Sequence, residues 1–171
     1  QVSASGMPVV ALNFYGGGER VEHRGIASVP GEERRFYESA SRALDLGTRL
    51  GTKIYNPMFG IRISGTSASH QLETAVANLQ LVEPMFAREG AVLALEALSG
   101  GRGFPLRTGD DVVGVVGHLR THGVTGIGIV ADLYHLSVNG TDVGRFLREN
   151  VDLVAHLQLA DAPGRSAPGT G

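Results

Sequence analysis

Three polar side chains stand where apolar runs end. Glu96 closes Ala91-Val92-Leu93-Ala94-Leu95, and Asp132 closes Ile127-Gly128-Ile129-Val130-Ala131. Gln158 lies two residues after His156 inside Leu153-Val154-Ala155-His156-Leu157-Gln158-Leu159. A carboxylate in such a place is costly unless it is paired or binds a metal. Taken singly, each has a plain alternative. Glu96 can reach solvent at a strand mouth. Asp132 can cap the turn that follows it, beside a partly buried His135. His156 and Gln158 share one strand face and can satisfy each other by hydrogen bonding. Taken together they describe more. If the three strands are neighbours, two carboxylates and an amide oxygen converge. Those are hard ligands, suited to a divalent cation such as Mg²⁺ or Mn²⁺.

The elements that position these groups follow from periodicity. Strands are expected at residues 8–14, 53–56, 91–96, 127–132 and 153–159. Between them run amphipathic stretches. Residues 32–50 place Phe36, Ala40, Ala43, Leu44 and Leu50 at three- and four-residue steps, and residues 67–88 do the same with Leu72, Val76, Leu79, Val82 and Phe86. Pro84 is a point where the second helix is expected to kink or shorten. Thr108 is the expected N-cap of the third helix, with Asp110 and Asp111 in its first turn. A further helix is expected from about Thr141. Gly51, Gly90 and Gly123 each end a helix just before a strand. Five strands separated by helices argue a parallel α/β sheet with right-handed crossovers. In such folds chemistry sits at the carboxyl ends of the strands.

Composition narrows the class. The chain has 171 residues, 42% hydrophobic and 19% charged, which favours one domain with a real core. It is short of a complete (β/α)₈ barrel, which needs about 250 residues. Zero cysteines exclude a disulfide scaffold, a zinc–thiolate site and a cysteine nucleophile. The 25 glycines show no Gly-X-Y period, so collagen is excluded. A net charge of −2 with scattered basic residues argues against a broad nucleic-acid or anionic-membrane surface. No apolar run approaches the ~20 residues of a membrane span. Gln1 to Gly6 lacks a signal-peptide pattern, which makes a cytoplasmic protein the default. Without an initiator Met, the chain is expected to begin inside a longer one or to have been processed.

Other signals are weaker. Gly16-Gly17-Gly18 follows a strand but precedes a loop, so it fits neither phosphate-binding glycine pattern. Arg24 and Arg165 are loop guanidinium groups able to hold a substrate carboxylate. Asn13, Lys53 and Tyr55 are candidates to line the mouth.

At the motif level the chain resembles the hydroxypyruvate isomerase family. Leu93-Ala94-Leu95-Glu96-Ala97-Leu98 is similar to that family's Leu-Glu-Pro-Ile segment, and Asp132-Leu133-Tyr134-His135 to its Asp-Leu-Tyr-His. His156-Leu157-Gln158-Leu159-Ala160-Asp161-Ala162-Pro163-Gly164-Arg165 resembles its His-Ile-Gln-Ile-Ala-Asp-Val-Pro-Gly-Arg, and Pro168 to Gly171 its following loop. Leu12-Asn13, Arg24-Gly25-Ile26 and Val29-Pro30-Gly31 look like its third-strand loop. The resemblance spans nearly the whole chain and is most specific in the last third. It implies an incomplete xylose isomerase-like (β/α)₈ TIM barrel over residues 1–171, with about five βα units corresponding to strands three to seven. Strands one, two and eight have no counterpart, and strand eight carries the family's second catalytic glutamate. Ala97 stands for the usual Pro and Ser99 for the usual Asn. The loop near Gly100-Gly101-Arg102-Gly103 is shortened.

By the resemblance, Glu96 is both metal ligand and acid/base, and Asp132 and Gln158 are further ligands. His135, Arg165 and His156 lie in the substrate pocket. The implied reaction interconverts hydroxypyruvate and tartronate semialdehyde by metal-assisted proton transfer through an enediolate. The implied partner is a small hydroxy-oxo acid, without nucleic acid or membrane, and with a possible homo-oligomer. Rival readings are a related isomerase or epimerase acting on a larger acid such as 2-oxo-tetronate, an apurinic-site endonuclease of related fold, and a catalytically incomplete fragment. Gln158 where that endonuclease class needs a histidine, with the negative net charge, opposes the nuclease reading.

Overall fold

The computed structural model describes residues 6–17, 25–101 and 103–170. Gly18, Arg24, Arg102 and Gly171, together with Gln1 to Ser5, lie outside the described residues.

Five strands form one parallel sheet in the order β1-β2-β3-β4-β5. They are β1 (Ala11–Asn13), β2 (Ile54–Asn56), β3 (Val92–Glu96), β4 (Ile127–Asp132) and β5 (Val154–Gln158). The helices are α1 (Glu33–Leu50), α2 (Ala68–Arg88), α3 (Gly109–Thr121), α4 (Leu133–Val138) and α5 (Val143–Asn150). A strand order that never reverses is the signature of barrel winding. Right-handed crossovers then place every helix on one face of the sheet, and a doubly wound sheet would have turned back.

The core lies between that face and the helices. Tyr55, Leu93, Leu95, Ile127 and Ile129 project from the strands against Phe36, Leu79, Val82, Phe86, Val112, Val116 and Leu119, all buried. Phe86 sits at its centre, stacked on Phe14 at 5.3 Å and edge-on to Tyr55 at 4.8 Å. Each such side chain contributes about 1.5–3 kcal/mol by leaving water. Tyr55 is therefore a core residue: its hydroxyl donates to Thr52 O and it faces the helices, away from the mouth where it was expected. Lys53 is displaced too. It precedes β2 at the amino end of the sheet, and its Nζ donates to Glu89 O.

The helix ends follow their local chemistry. Ser67 caps α2 by accepting the His70 N–H. Thr108 accepts the Asp111 N–H while Asp111 Oδ2 accepts the Thr108 N–H at 2.8 Å, a complete capping box. Burial raises the Asp111 carboxyl, but donors from Thr108 and Arg107 outweigh it and hold it below its ordinary value. Gly51, Gly90 and Gly123 take the left-handed φ that ends the first three helices. Pro84 neither ends nor shortens α2, which runs on to Arg88.

Pairing limits β1 to three residues, because it is an edge strand against a three-residue partner. Between β4 and β5 the register breaks. Ile129 pairs with Val154, yet Val130 pairs with His156, so Ala155 is an extra residue on β5. Gly128 lies against this bulge, where an added Cβ would sit 2.8 Å from Leu153 O and 3.1 Å from Ala155 Cβ. Among the described residues, no helix is long and apolar enough to cross a membrane.

Candidate metal and acid–base site

Register decides what the other sheet face carries. Asn13 pairs with Asn56, Glu96 with Val130, and Asp132 with Gln158. Side chains of paired residues in a parallel sheet point the same way, and every second residue repeats the direction. Asn13, Asn56, Glu96, Asp132, His156 and Gln158 therefore share the face opposite the core, at or near the carboxyl ends. His156 is the Cα partner of Val130, one period below Gln158.

Asp132 is almost fully buried and its carboxylate is engaged on both sides. Oδ1 accepts the backbone N–H of Tyr134 at 3.0 Å and of His135 at 3.2 Å, capping α4. Oδ2 accepts from Arg165 Nη2 at 2.8 Å. A carboxylate 2% exposed needs such partners, and an arginine supplies charge together with a donor. Arg165 also lies over the Tyr134 ring, 5.1 Å from its centre. The capping alternative for Asp132 and its place in a polar cluster are thus both realised, one on each oxygen.

His135 is held from behind. Ser99 donates its backbone N–H to Nδ1 at 3.1 Å, and its hydroxyl lies 2.7 Å from the same nitrogen. A neutral imidazole has one acceptor nitrogen, so accepting at Nδ1 leaves the proton on Nε2. Nε2 faces the mouth, 3.7 Å from Asp132 Oδ2, 4.0 Å from Glu96 Oε1 and 3.3 Å from Arg165 Nη1. Arg165 can only donate, so its approach to Nε2 is not a hydrogen bond in this tautomer, and the ring offers its proton to the carboxylates at the mouth. To ligate a metal through Nε2 it would have to carry its proton on Nδ1, giving up the Ser99 N–H bond and keeping a bond to the Ser99 hydroxyl.

Glu96, at the end of β3, accepts from Asn56 Nδ2 at 2.8 Å. One ligand atom from each of Glu96, Asp132 and His135 lies within 4.8 Å of the others. Two carboxylates at this spacing suit a divalent cation, with the register setting Gln158 beside Asp132 as an oxygen donor.

Of the expected groups, Glu96, Asp132, His135 and Arg165 are brought together, and Gln158 adjoins them by register. Asn13 lies on the same face at an edge. Two partners escaped the sequence reading. Asn56 closes β2 as Glu96 closes β3, so reading the last residue of every strand would have found it. Ser99 has no such local signal, since its partner is 36 residues away.

The family model for the xylose isomerase-like TIM barrel matches residues 1–171. A Streptomyces coelicolor protein named "Putative hydroxypyruvate isomerase" is 37% identical over 99% of this chain and 62% of its own length. The hydroxypyruvate isomerase of Escherichia coli (strain K12) is 29% identical over 93% of this chain and 61% of its own. The chain thus spans somewhat over three-fifths of these relatives. A solved Brucella melitensis structure titled as an AP endonuclease, family 2, superposes with a TM-score of 0.87 at 21% identity, covering 99% of this chain and 65% of that one. At that identity the likeness concerns the fold.

Proposed function

The chain belongs to the xylose isomerase-like TIM barrel family, and on that premise we propose that the protein carrying it is an isomerase interconverting hydroxypyruvate and tartronate semialdehyde. The observation that carries this reading is the cluster of Glu96, Asp132 and His135 at the mouths of β3 and β4, with Arg165 at its rim.

The reaction moves two protons, one between carbons and one between oxygens. The first leaves the carbon bearing the hydroxyl and arrives at the neighbouring carbonyl carbon, while the hydroxyl proton passes to the other oxygen, so the formula is unchanged. Glu96 is the carboxylate that accepts and returns the carbon-bound proton, an acid–base role worth about 10²–10⁴-fold. His135 donates from Nε2 to a substrate oxygen, its tautomer set by Ser99. Arg165 pairs with the substrate carboxylate, a contact its fork geometry favours. His156 lies deeper on the same face as a lining group. Glu96, Asp132 and Gln158 would hold Mg²⁺ or Mn²⁺, which when bound supplies Lewis-acid stabilisation of charge on oxygen.

The test is turnover by the full protein on hydroxypyruvate and on 2-oxo-tetronate, with Glu96→Gln as control. We expect faster turnover of hydroxypyruvate, lowered by about 10²–10⁴-fold in the variant. Equal rates would remove the preference between the acids, and a fully active Glu96→Gln would remove the site assignment.

A further inference from the structure

Glu96 takes a hydrogen bond from a residue that has no part in the mechanism above. Asn56 is 4% exposed, and its Nδ2 donates to Glu96 Oε2 at 2.8 Å. Its Oδ1 accepts the Met58 backbone N–H at 2.9 Å. A side-chain amide can present either end to a neighbour. Here a backbone donor decides the matter: the oxygen must face Met58, so the NH₂ must face Glu96.

Met58 is itself constrained. Its φ is 52°, uncommon for a residue with a side chain. Such a conformation persists where the surroundings impose it. Phe59 O accepts the Ser28 N–H at 2.9 Å, which ties the loop after β2 to the segment before α1. The chain of constraint runs from that loop to Met58, to the Asn56 amide, and on to one oxygen of Glu96.

We propose that Asn56 is a positioning residue for proton transfer. By holding Oε2 it fixes the rotamer of the Glu96 carboxylate and turns Oε1 toward His135 and the reacting carbons. This rests on Glu96 as the proton carrier. A glutamate has several rotatable bonds, and small misplacements of a reacting group cost rate steeply.

Asn56→Asp is the discriminating variant. It keeps nearly the same shape and the acceptor for Met58, and puts in place of the amide donor a second carboxyl 2.8 Å from Glu96, so that the pair must share a proton and Glu96 is no longer a free carboxylate. Asn56→Ala loses both the acceptor and the donor. Loss of a hydrogen bond to a charged group predicts that both variants lower kcat by about tenfold to a hundredfold. KM should stay within about twofold, since substrate binding is not what is removed. The primary deuterium isotope effect on kcat should rise as proton transfer becomes the slow step. A merely structural Asn56 predicts that both variants lose stability while the kcat of the folded protein and its isotope effect stay unchanged. Wild-type kcat with an unchanged isotope effect in Asn56→Asp would overturn the proposal, even if Asn56→Ala fails to fold. Glu96→Gln on the same substrate separates the two layers. If it is silent while Asn56→Asp is normal, the positioning role alone falls. If it turns over normally, the assignment of Glu96 falls first and the role of Asn56 with it.

Discussion

The mouths of β3 and β4 each present a carboxylate, and they hold it by different means. Asp132 is fixed by its own continuation: the chain turns straight into α4, whose first N–H groups bind Oδ1. Arg165 then closes over Oδ2. Glu96 is followed by a loop, and its Oε2 is held by an amide from the neighbouring strand. The β4 carboxylate is therefore part of a helix terminus as well as part of the site. The β3 carboxylate is anchored through a side chain 40 residues away, and its position is tuned separately from the backbone that carries it. On the reading proposed above, the first arrangement suits a residue that only holds a cation, and the second suits one that must also accept and return a proton.

Substitution can break this contrast. The largest effect is expected at Glu96. Glu96→Gln should lower kcat by about 10²–10⁴-fold, with the thermal midpoint close to that of the wild type. A large loss of stability would mean that β3 depends on its carboxylate as β4 does. Asp132→Ala should cost both activity and stability, by about 1–2 kcal/mol for the lost cap alone, measured by urea unfolding. Asp132→Asn keeps a capping oxygen and should recover most of the stability without recovering activity. Equal stability of the Ala variant and the wild type would show that capping of α4 is incidental.

The smallest effect marks the outer limit of the comparison. Thr108→Ala removes a cap far from the mouth and should cost about 1 kcal/mol with kcat unchanged. Its pH dependence follows from Asp111, whose folded value lies below the ordinary 3.8. A depressed carboxyl stabilises fully above its unfolded value and loses that contribution as pH falls through the folded one. The stability gap between Thr108→Ala and wild type should therefore narrow in acid. A gap that stays constant there would separate Asp111 from the cap.

Much of this was legible in the chain itself. Alternating apolar runs and amphipathic stretches located all five strands, and Ser67 and Thr108 marked their helix starts. Glu96 and Asp132 stood out because charge at the end of an apolar strand demands a partner. What escaped was either short or distant. The helix α4 has six residues, too few to show a periodicity, and its start is set by Asp132. Tyr55 is a candidate mouth residue in the sequence because it lies next to the end of its strand. Strand parity gives that place to Asn56 and sends Tyr55 into the core. The grip of Ser99 on His135 joins the loop after β3 to α4, and local pattern carries no trace of it.

The break in register at Ala155 extends the reach of these arguments. A one-residue slip in a strand exchanges its two faces. Asp132 meets Gln158, and Val130 meets His156, because the surplus residue has been absorbed upstream. Gly128 leaves room for that absorption, four residues before the carboxylate it serves. The site is thus focused like a lens from the far end of its barrel tube. A single methyl group at Gly128 would press on Leu153 and Ala155 at the bulge that sets this register.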